Sequence, residues 1–140
     1  MHKKRVYVDM VADLFHRGHV EFLKSAKKSF KNVYLIVGIH SDSDVASYKR
    51  QPIFSMEDRV EIVSACRYVD KVISNAPLKV NEKFLEKWSI DMVVHGDDMC
   101  IETLSNFYPG PVAKNKIKTV PYYPSISTTD IINRIKCQKK

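Results

Sequence analysis

Arg5-Val-Tyr-Val-Asp9 leads through Met10-Val-Ala-Asp-Leu-Phe15 to His16-Arg-Gly-His19. The first part is strand-like. His19 to Phe30 then sets Val20, Leu23 and Ala26/Lys27 at three- and four-residue spacing, the mark of a helix packed on one face. The alternation continues outward. Val33-Tyr-Leu-Ile-Val-Gly-Ile39 reads as a buried strand, and Val69 to Ile73, Asp91 to His95 and Ile117 to Tyr122 repeat the pattern. Ser55-Met-Glu-Asp58 is a capping-box-like start to a helix reaching about Cys66, and Asn81 can cap a helix through Trp88. Ser127-Thr-Thr-Asp130 opens a last helix carrying Ile131, Ile132 and Ile135, while Pro109, Gly110 and Pro111 mark the one sizeable irregular loop. Strands alternating with helices imply parallel strands joined by right-handed crossovers. The expected fold is α/β: a Rossmann-like, doubly wound, parallel five-stranded sheet.

With 140 residues the chain is predicted to be a single domain, 1–140, with basic ends at 1–5 and 134–140. Apolar residues at 44% and charged residues at 28% exclude wholesale disorder and a fibrous repeat. The longest apolar stretch, Val33 to Ile39, falls far short of the ~20 residues that span a bilayer. The N-terminus runs from charge straight into a strand, without the apolar centre of a secretory signal. A soluble, cytoplasmic protein with no membrane insertion is expected. The net charge of +7 is assignable to Lys3, Lys4, Arg5, Arg134, Lys136, Lys139 and Lys140, while residues 6–133 hold 16 basic and 16 acidic side chains. Basicity confined to the ends is not the face or stripe of a nucleic-acid binder. Cys66, Cys100 and Cys137 are odd in number and widely spaced, which argues for reduced thiols rather than a disulfide framework or zinc site.

Ligands of such sheets bind beyond the carboxyl ends of the strands, where the strand order reverses. After the first strand, His16 and His19 flank Gly18 at the mouth of a helix. Gly18 permits close backbone approach, the helix start offers free N–H groups, and imidazoles there can donate to phosphate oxygens. Two surface histidines would be the bland alternative. After the second strand, Lys49 could reach a substrate phosphate as a point charge, or be a solvated loop lysine. After the fourth, His95-Gly-Asp97-Asp98 offers a carboxylate for a sugar or base, or an ordinary helix cap. After the fifth, Ser127, Thr128 and Thr129 line up as hydroxyls at a second helix start. Two such termini suggest a polyphosphate held between them, with a nucleoside triphosphate the economical ligand. Neither Gly-x-x-x-x-Gly-Lys-Ser/Thr nor Gly-x-Gly-x-x-Gly occurs, so a P-loop hydrolase and a dinucleotide dehydrogenase are unsupported.

Asp13-Leu-Phe-His16-Arg-Gly-His19, Leu35-Ile-Val-Gly-Ile-His-Ser-Asp42, Arg67-Tyr-Val-Asp70, Val94-His-Gly-Asp97 and Ile126-Ser-Thr-Thr129 stand in order along nearly the whole chain. In these the sequence resembles the small cytidylyltransferases that make CDP-alcohols from CTP, members of the His-x-Gly-His nucleotidyltransferase superfamily. The resemblance implies that His16 and His19 contact the CTP phosphates, and that Lys49 bridges the nucleotide α-phosphate and the incoming phosphate. It also implies a catalytic part for Arg67. Ser127, Thr128 and Thr129 would hold the β- and γ-phosphates; Val11, Ala12, Gly18, Asp97 and Tyr122 would complete the nucleotide site. Asp9 would sit near the alcohol end of the substrate. Mg2+ would arrive with CTP, and a homodimer is implied.

The implied reaction needs no covalent intermediate: an oxygen of the alcohol phosphate attacks the α-phosphorus in line and pyrophosphate leaves. Two motifs depart from the family pattern. The first loop usually reads Asp-Gly-x-Phe-Asp, but here reads Asp9-Met10-Val-Ala12-Asp13; the last motif usually opens Arg-Thr, but here opens Tyr122-Tyr123. Leu78 replaces the Trp of the choline enzymes, and a quaternary ammonium prefers an aromatic box. The expected activity is therefore CMP transfer from CTP to a small phosphorylated alcohol, phosphoethanolamine ahead of glycerol 3-phosphate. An ATP-using enzyme of the same fold and a catalytically silent nucleotide-binding protein are the rivals.

Overall fold

In β1 (Lys4–Met10), Val6 and Val8 turn to one side and Tyr7 to the other, all three fully buried, as the two-residue period of a strand requires. The computed structural model describes residues 2–138; Met1 and the predicted basic tail residues Lys139 and Lys140 lie outside the described residues. The other strands are β2 (Val33–His40), β3 (Lys71–Ala76), β4 (Met92–Gly96) and β5 (Ile117–Val120). All pair in parallel in the order β3-β2-β1-β4-β5, with Val6 opposite Leu35 of β2 and Met92 of β4. The doubly wound five-stranded sheet expected from the alternation is thus present. The order reverses at β1, so the carboxyl ends of β1 and β4 flank the crevice where a ligand is expected.

Two apolar layers hold the sheet. On one face Leu23 and Ala26 of α1 (Arg17–Lys27) and Val63 of α3 (Met56–Ser64) pack with Val6, Val8 and Leu35. On the other, Leu85 of α4 (Glu82–Lys87) and Leu104 of α5 (Ile101–Phe107) pack with Tyr7, Ile36 and Val93. Burying each of the Leu, Ile and Val side chains contributes about 1.5–3 kcal/mol. Gly38 makes room for the Tyr7 ring: a Cβ there would stand 2.0 Å from the Tyr7 hydroxyl.

Several boundaries differ from the sequence reading, each for a local reason. α1 starts at Arg17 because the His16 side chain, not a later residue, is its cap, and it ends at Lys27 short of Phe30. The polar stretch 41–50 contains a short helix, α2 (Asp42–Ala46), capped by Ser41. Val69 lies in a turn, its N–H bonded to the Cys66 carbonyl, so β3 begins at Lys71 and runs on to Ala76. Pro109, Gly110 and Pro111 are not loop but the start of α6 (Pro109–Ala113): proline at the first helical position lacks only a donor that would go unused. β5 stops at Val120, before Pro121, which cannot donate to a ladder. The last helix, α7 (Thr128–Cys137), begins where its Ser127 cap predicts. Among the described residues no helix is long and apolar enough to cross a membrane.

Candidate active site

The turn between β1 and α1 carries two imidazoles locked into the helix start. His16 Nδ1 accepts from the Gly18 N–H at 2.9 Å, and His19 Nδ1 accepts from the His16 N–H at 3.1 Å. A backbone N–H only donates, so both Nδ1 atoms are bare and each neutral ring carries its proton on Nε2. His16 Nε2 lies 3.4 Å from Thr128 Oγ1, whose hydroxyl donates to the Asp13 carbonyl at 3.1 Å. The relay runs from imidazole N–H to hydroxyl to carbonyl and ties the first turn of α7 to the first loop. A Cβ at Gly18 would stand 2.7 Å from His16 Cε1 and 3.1 Å from the Ile126 carbonyl, so glycine is what lets ring and backbone meet here.

Burial holds both rings toward the neutral form. His16 sits below the ordinary imidazole value, burial outweighing the pull of Asp130. His19 is pushed down to about 4, by burial first and then by His16 and Lys49, against the opposing charge of Asp13. Lys49 is also lowered, by burial and by its neighbour Arg50.

These groups line one cleft of about 340 Å³ at the carboxyl ends of β1 and β4, walled by His16, His19, Lys49, Tyr122, Ser127 and Thr129 among others. Ser127 Oγ accepts from the Asp130 N–H at 3.1 Å, which leaves its own proton to donate. The first turn of α7 adds backbone N–H groups without intrahelical partners. Imidazole donors, hydroxyls, helix-start amides and two cations thus face one space, an arrangement suited to a polyanion. At its other end stands Asp9, whose Oδ1 accepts from the Tyr108 hydroxyl at 2.6 Å. Burial raises the Asp9 carboxyl, opposed by His40, by the Tyr108 hydrogen bond and by His95.

Two buried side chains fix the frame. Asp13 accepts from the N–H groups of Leu14, Ile53 and Phe54 at 3.1, 2.8 and 2.9 Å. Arg59 is fully buried; it donates to the carbonyls of Val11, His40 and Phe54 at 2.7, 2.9 and 3.2 Å and pairs with Asp42. The first loop, the end of β2 and α2 are therefore clamped together behind the cleft.

Of the residues singled out from sequence, Asp9, His16, Gly18, His19, Lys49, Tyr122, Ser127, Thr128 and Thr129 meet in the cleft. Val11 and Ala12 line a smaller adjoining cavity with His19 and Lys49. Asp97 is not among the lining residues: its Oδ1 accepts from the Tyr122 N–H at 2.9 Å and ties the loop after β4 to the loop after β5, with Gly96 and Asp98 on the cleft wall. Arg67 is not brought to the site. Its guanidinium is fully exposed and donates to the Tyr68 hydroxyl at 3.2 Å, because Arg67 sits in the turn after α3. Arg50, which sequence offers as a replacement for the cation missing from the last motif, lines the cleft, and His95 and Tyr123 line it unannounced. Arg50 adjoins Lys49 and His95 precedes the Gly-Asp-Asp run, so adjacency to a recognised motif was the available signal. Arg59 and Tyr108 gave no such signal, since only the fold brings them to the first loop and Asp9; His40 lies inside the matched Leu35–Asp42 stretch, but only the fold sets it beside Asp9.

Residues 11–134 match the family described as cytidylyltransferase-like. The chain is 39% identical over 132 residues to a choline-phosphate cytidylyltransferase of Saccharomyces cerevisiae, covering 94% of this chain and 31% of that protein. It is 32% identical over 132 residues to an ethanolamine-phosphate cytidylyltransferase of Dictyostelium discoideum, covering 94% of this chain and 36% of that protein. It therefore spans about a third of the length of these curated relatives. A crystal structure of a lipopolysaccharide core biosynthesis protein from Thermoplasma volcanium GSS1 superposes with a TM-score of 0.70 at 26% identity, covering 87% of this chain and 99% of that one. With the parallel sheet, the switch-point cleft and the paired imidazoles in place, the match over residues 11–134 means that the chain belongs to the cytidylyltransferase-like family.

Proposed function

We propose that this protein is a CTP-dependent nucleotidyltransferase that moves CMP to a small phosphorylated alcohol, giving a CDP-alcohol and pyrophosphate. The observation that carries the reading is the meeting of His16, His19 and the Ser127–Thr129 hydroxyls around one cleft, with His16 Nε2 3.4 Å from Thr128 Oγ1. An oxygen of the alcohol phosphate forms the new bond to the α-phosphorus as the bond to the β-phosphate oxygen breaks and its electron pair leaves with pyrophosphate. The nucleophile is already ionised, so the protein needs to supply only alignment and charge. His16 and His19 donate from Nε2 to the phosphates where charge builds. Ser127, Thr128 and Thr129 hold the β- and γ-phosphates, and Lys49 stands between nucleotide and incoming phosphate. Among the described residues no three metal-ligating side chains converge; Mg2+ bound to the triphosphate would supply charge neutralisation beside the Ser127–Thr129 hydroxyls.

The alcohol end is the region of Asp9 and Tyr108. A buried carboxylate there favours a cationic alcohol, and Leu78 supplies no ring for a quaternary ammonium. Ethanolamine phosphate is the preferred substrate in this reading, with glycerol 3-phosphate next. The protein works in the cytoplasm as a homodimer, feeding phospholipid or cell-envelope synthesis, with no nucleic-acid partner. Pyrophosphate release from CTP and Mg2+ with a panel of phosphorylated alcohols tests the reading; silence across the panel beside an active control enzyme overturns it. Tyr122 in the cleft, where the family pattern has arginine, favours ATP use as the second reading. ATP displacing CTP in competition binding would decide for it.

A further inference from the structure

Beside the cleft lies a second groove of about 510 Å³, bounded by α1 and by the edge strand β5 with the loop that follows it. Lys24 and Ser25 of α1 and its cap residue Lys28 line one side, and Lys118 of β5 lines the other. Tyr122 and Tyr123 line both this groove and the cleft, so the two spaces share a two-residue wall. Other cations of α1 are already engaged. Lys27 pairs with Asp70 and donates to the Val33 carbonyl at 2.9 Å, and Arg17 lies 3.9 Å from Glu21, the one carboxylate lining the groove. Lys24 and Lys28 differ: among the described residues neither ammonium has an ion-pair, hydrogen-bond or ring partner. Standing four positions apart on the helix, they repel each other. A helix C-terminus attracts cations, but that does not account for a third ammonium brought in from another element. Lys118 Nζ donates to the Ser29 carbonyl at 2.8 Å and stands 4.6 Å from the centre of the Phe30 ring, which fixes it beside the end of α1. An ammonium has three donors, so two remain for a ligand. The Ser25 hydroxyl, also without a partner among the described residues, adds another.

We infer that this groove is a second polyphosphate-binding site, distinct from the cleft, which takes a chain of two or more phosphates between Lys24, Lys28 and Lys118. The inference goes beyond the transfer reading and does not depend on it. Lysine meets phosphate as a point charge on a flexible stem, so three ammonium groups along one groove suit a chain of charged units. A single phosphate or carboxylate is too short to engage all three. The phosphate chain can belong to an inorganic polyphosphate or to a nucleotide, and the test separates these two sources.

The test is a calorimetric titration of the whole chain with tripolyphosphate at fixed ionic strength and Mg2+, alone and with saturating CTP. Wild type is compared with the double variant Lys24→Gln/Lys28→Gln. Lys83→Gln/Lys87→Gln, on α4 at the other sheet face, removes the same charge at the same spacing and serves as control. One equivalent of tripolyphosphate is expected that CTP does not displace. Its affinity falls by about tenfold or more in Lys24→Gln/Lys28→Gln and stays within about twofold in the α4 control. Lys24→Arg/Lys28→Arg, which keeps both charges, stays within about threefold of wild type. Orthophosphate binds the groove more weakly than tripolyphosphate by about tenfold or more. ATP is the nucleotide arm, read as the component lost in Lys24→Gln/Lys28→Gln. Affinity within about threefold of tripolyphosphate makes nucleotides a source, and a loss of about tenfold restricts the site to inorganic chains. Complete displacement by CTP, a second equivalent that survives Lys24→Gln/Lys28→Gln, or an equal loss in the α4 control overturns the proposal. So does a groove that takes ATP but not tripolyphosphate. Should the double variant fail to fold, the CTP-displacement arm in wild type decides. A chain that does not bind CTP defeats the transfer reading, and the comparison of variants without CTP still decides the groove.

Discussion

His16 and Thr128 stand 112 positions apart in the chain, yet His16 Nε2 and Thr128 Oγ1 meet at 3.4 Å. The hydroxyl donates its own hydrogen bond to the Asp13 carbonyl, so one side chain joins the first loop to the last helix. Thr128→Val keeps the shape and deletes both bonds. The expected cost in stability is about 1 kcal/mol, with KM for CTP raised about tenfold and KM for the alcohol phosphate little changed. Urea unfolding and initial-rate kinetics check the two halves separately.

Protons should follow the nucleotide. His19 is held at about 4 in the folded protein against 6.5 for a free imidazole, so the unfolded chain binds the extra proton between these values. Its contribution to stability is fully present above about pH 6.5 and is lost as pH falls towards 4, at most about 3 kcal/mol. His19→Gln removes that slope from stability measured between pH 4 and 6.5. A bound triphosphate reverses the balance by favouring imidazolium, so CTP binding near pH 5.5 takes up protons. Calorimetry in buffers of different ionisation enthalpy reads the uptake, and His19→Gln reduces it.

Gly18→Ala drives a methyl into His16, 2.7 Å from Cε1 and 2.9 Å from Nδ1. The ring must leave its cap position, since a neighbour this close cannot give by tenths of an ångström. The expected result is weaker CTP binding by about tenfold and a stability loss of about 1–3 kcal/mol from the broken cap. Thermal unfolding with and without CTP separates the two effects.

Arg59 illustrates what the sequence could not disclose. Nothing in Met56-Glu-Asp-Arg59-Val distinguishes it from a solvated helix arginine, yet it is fully buried and binds three carbonyls and Asp42. Arg59→Ala leaves those groups unpaired and is expected to cost about 3–5 kcal/mol, measured by urea unfolding. Arg59→Lys does not rescue it, because a point charge cannot replace a planar fork with several donors.

The legible features were those written in local patterns. β-branched runs marked β1 and β2, the Ser127 hydroxyl marked the start of α7, and the position of His16-Arg-Gly-His19 after a strand marked the cleft. The features that no local pattern discloses depended on context. Pro109-Gly-Pro111 looks like a breaker but serves as a helix start. Arg67 lies in a matching motif, but its turn directs it into solvent. His40, Tyr108 and Asp9 form a group because β1, β2 and α5 end side by side, which no window of sequence contains.

The most direct test of a shared phosphate cleft is the affinity of CTP and of cytidine for wild type, His19→Ala and Thr129→Ala. Both substitutions should weaken CTP by about tenfold or more and leave cytidine binding within about twofold, since the proposed function assigns imidazole and hydroxyl to the triphosphate rather than the base. Unchanged CTP affinity in either variant, or equal loss for cytidine, would contradict a common site.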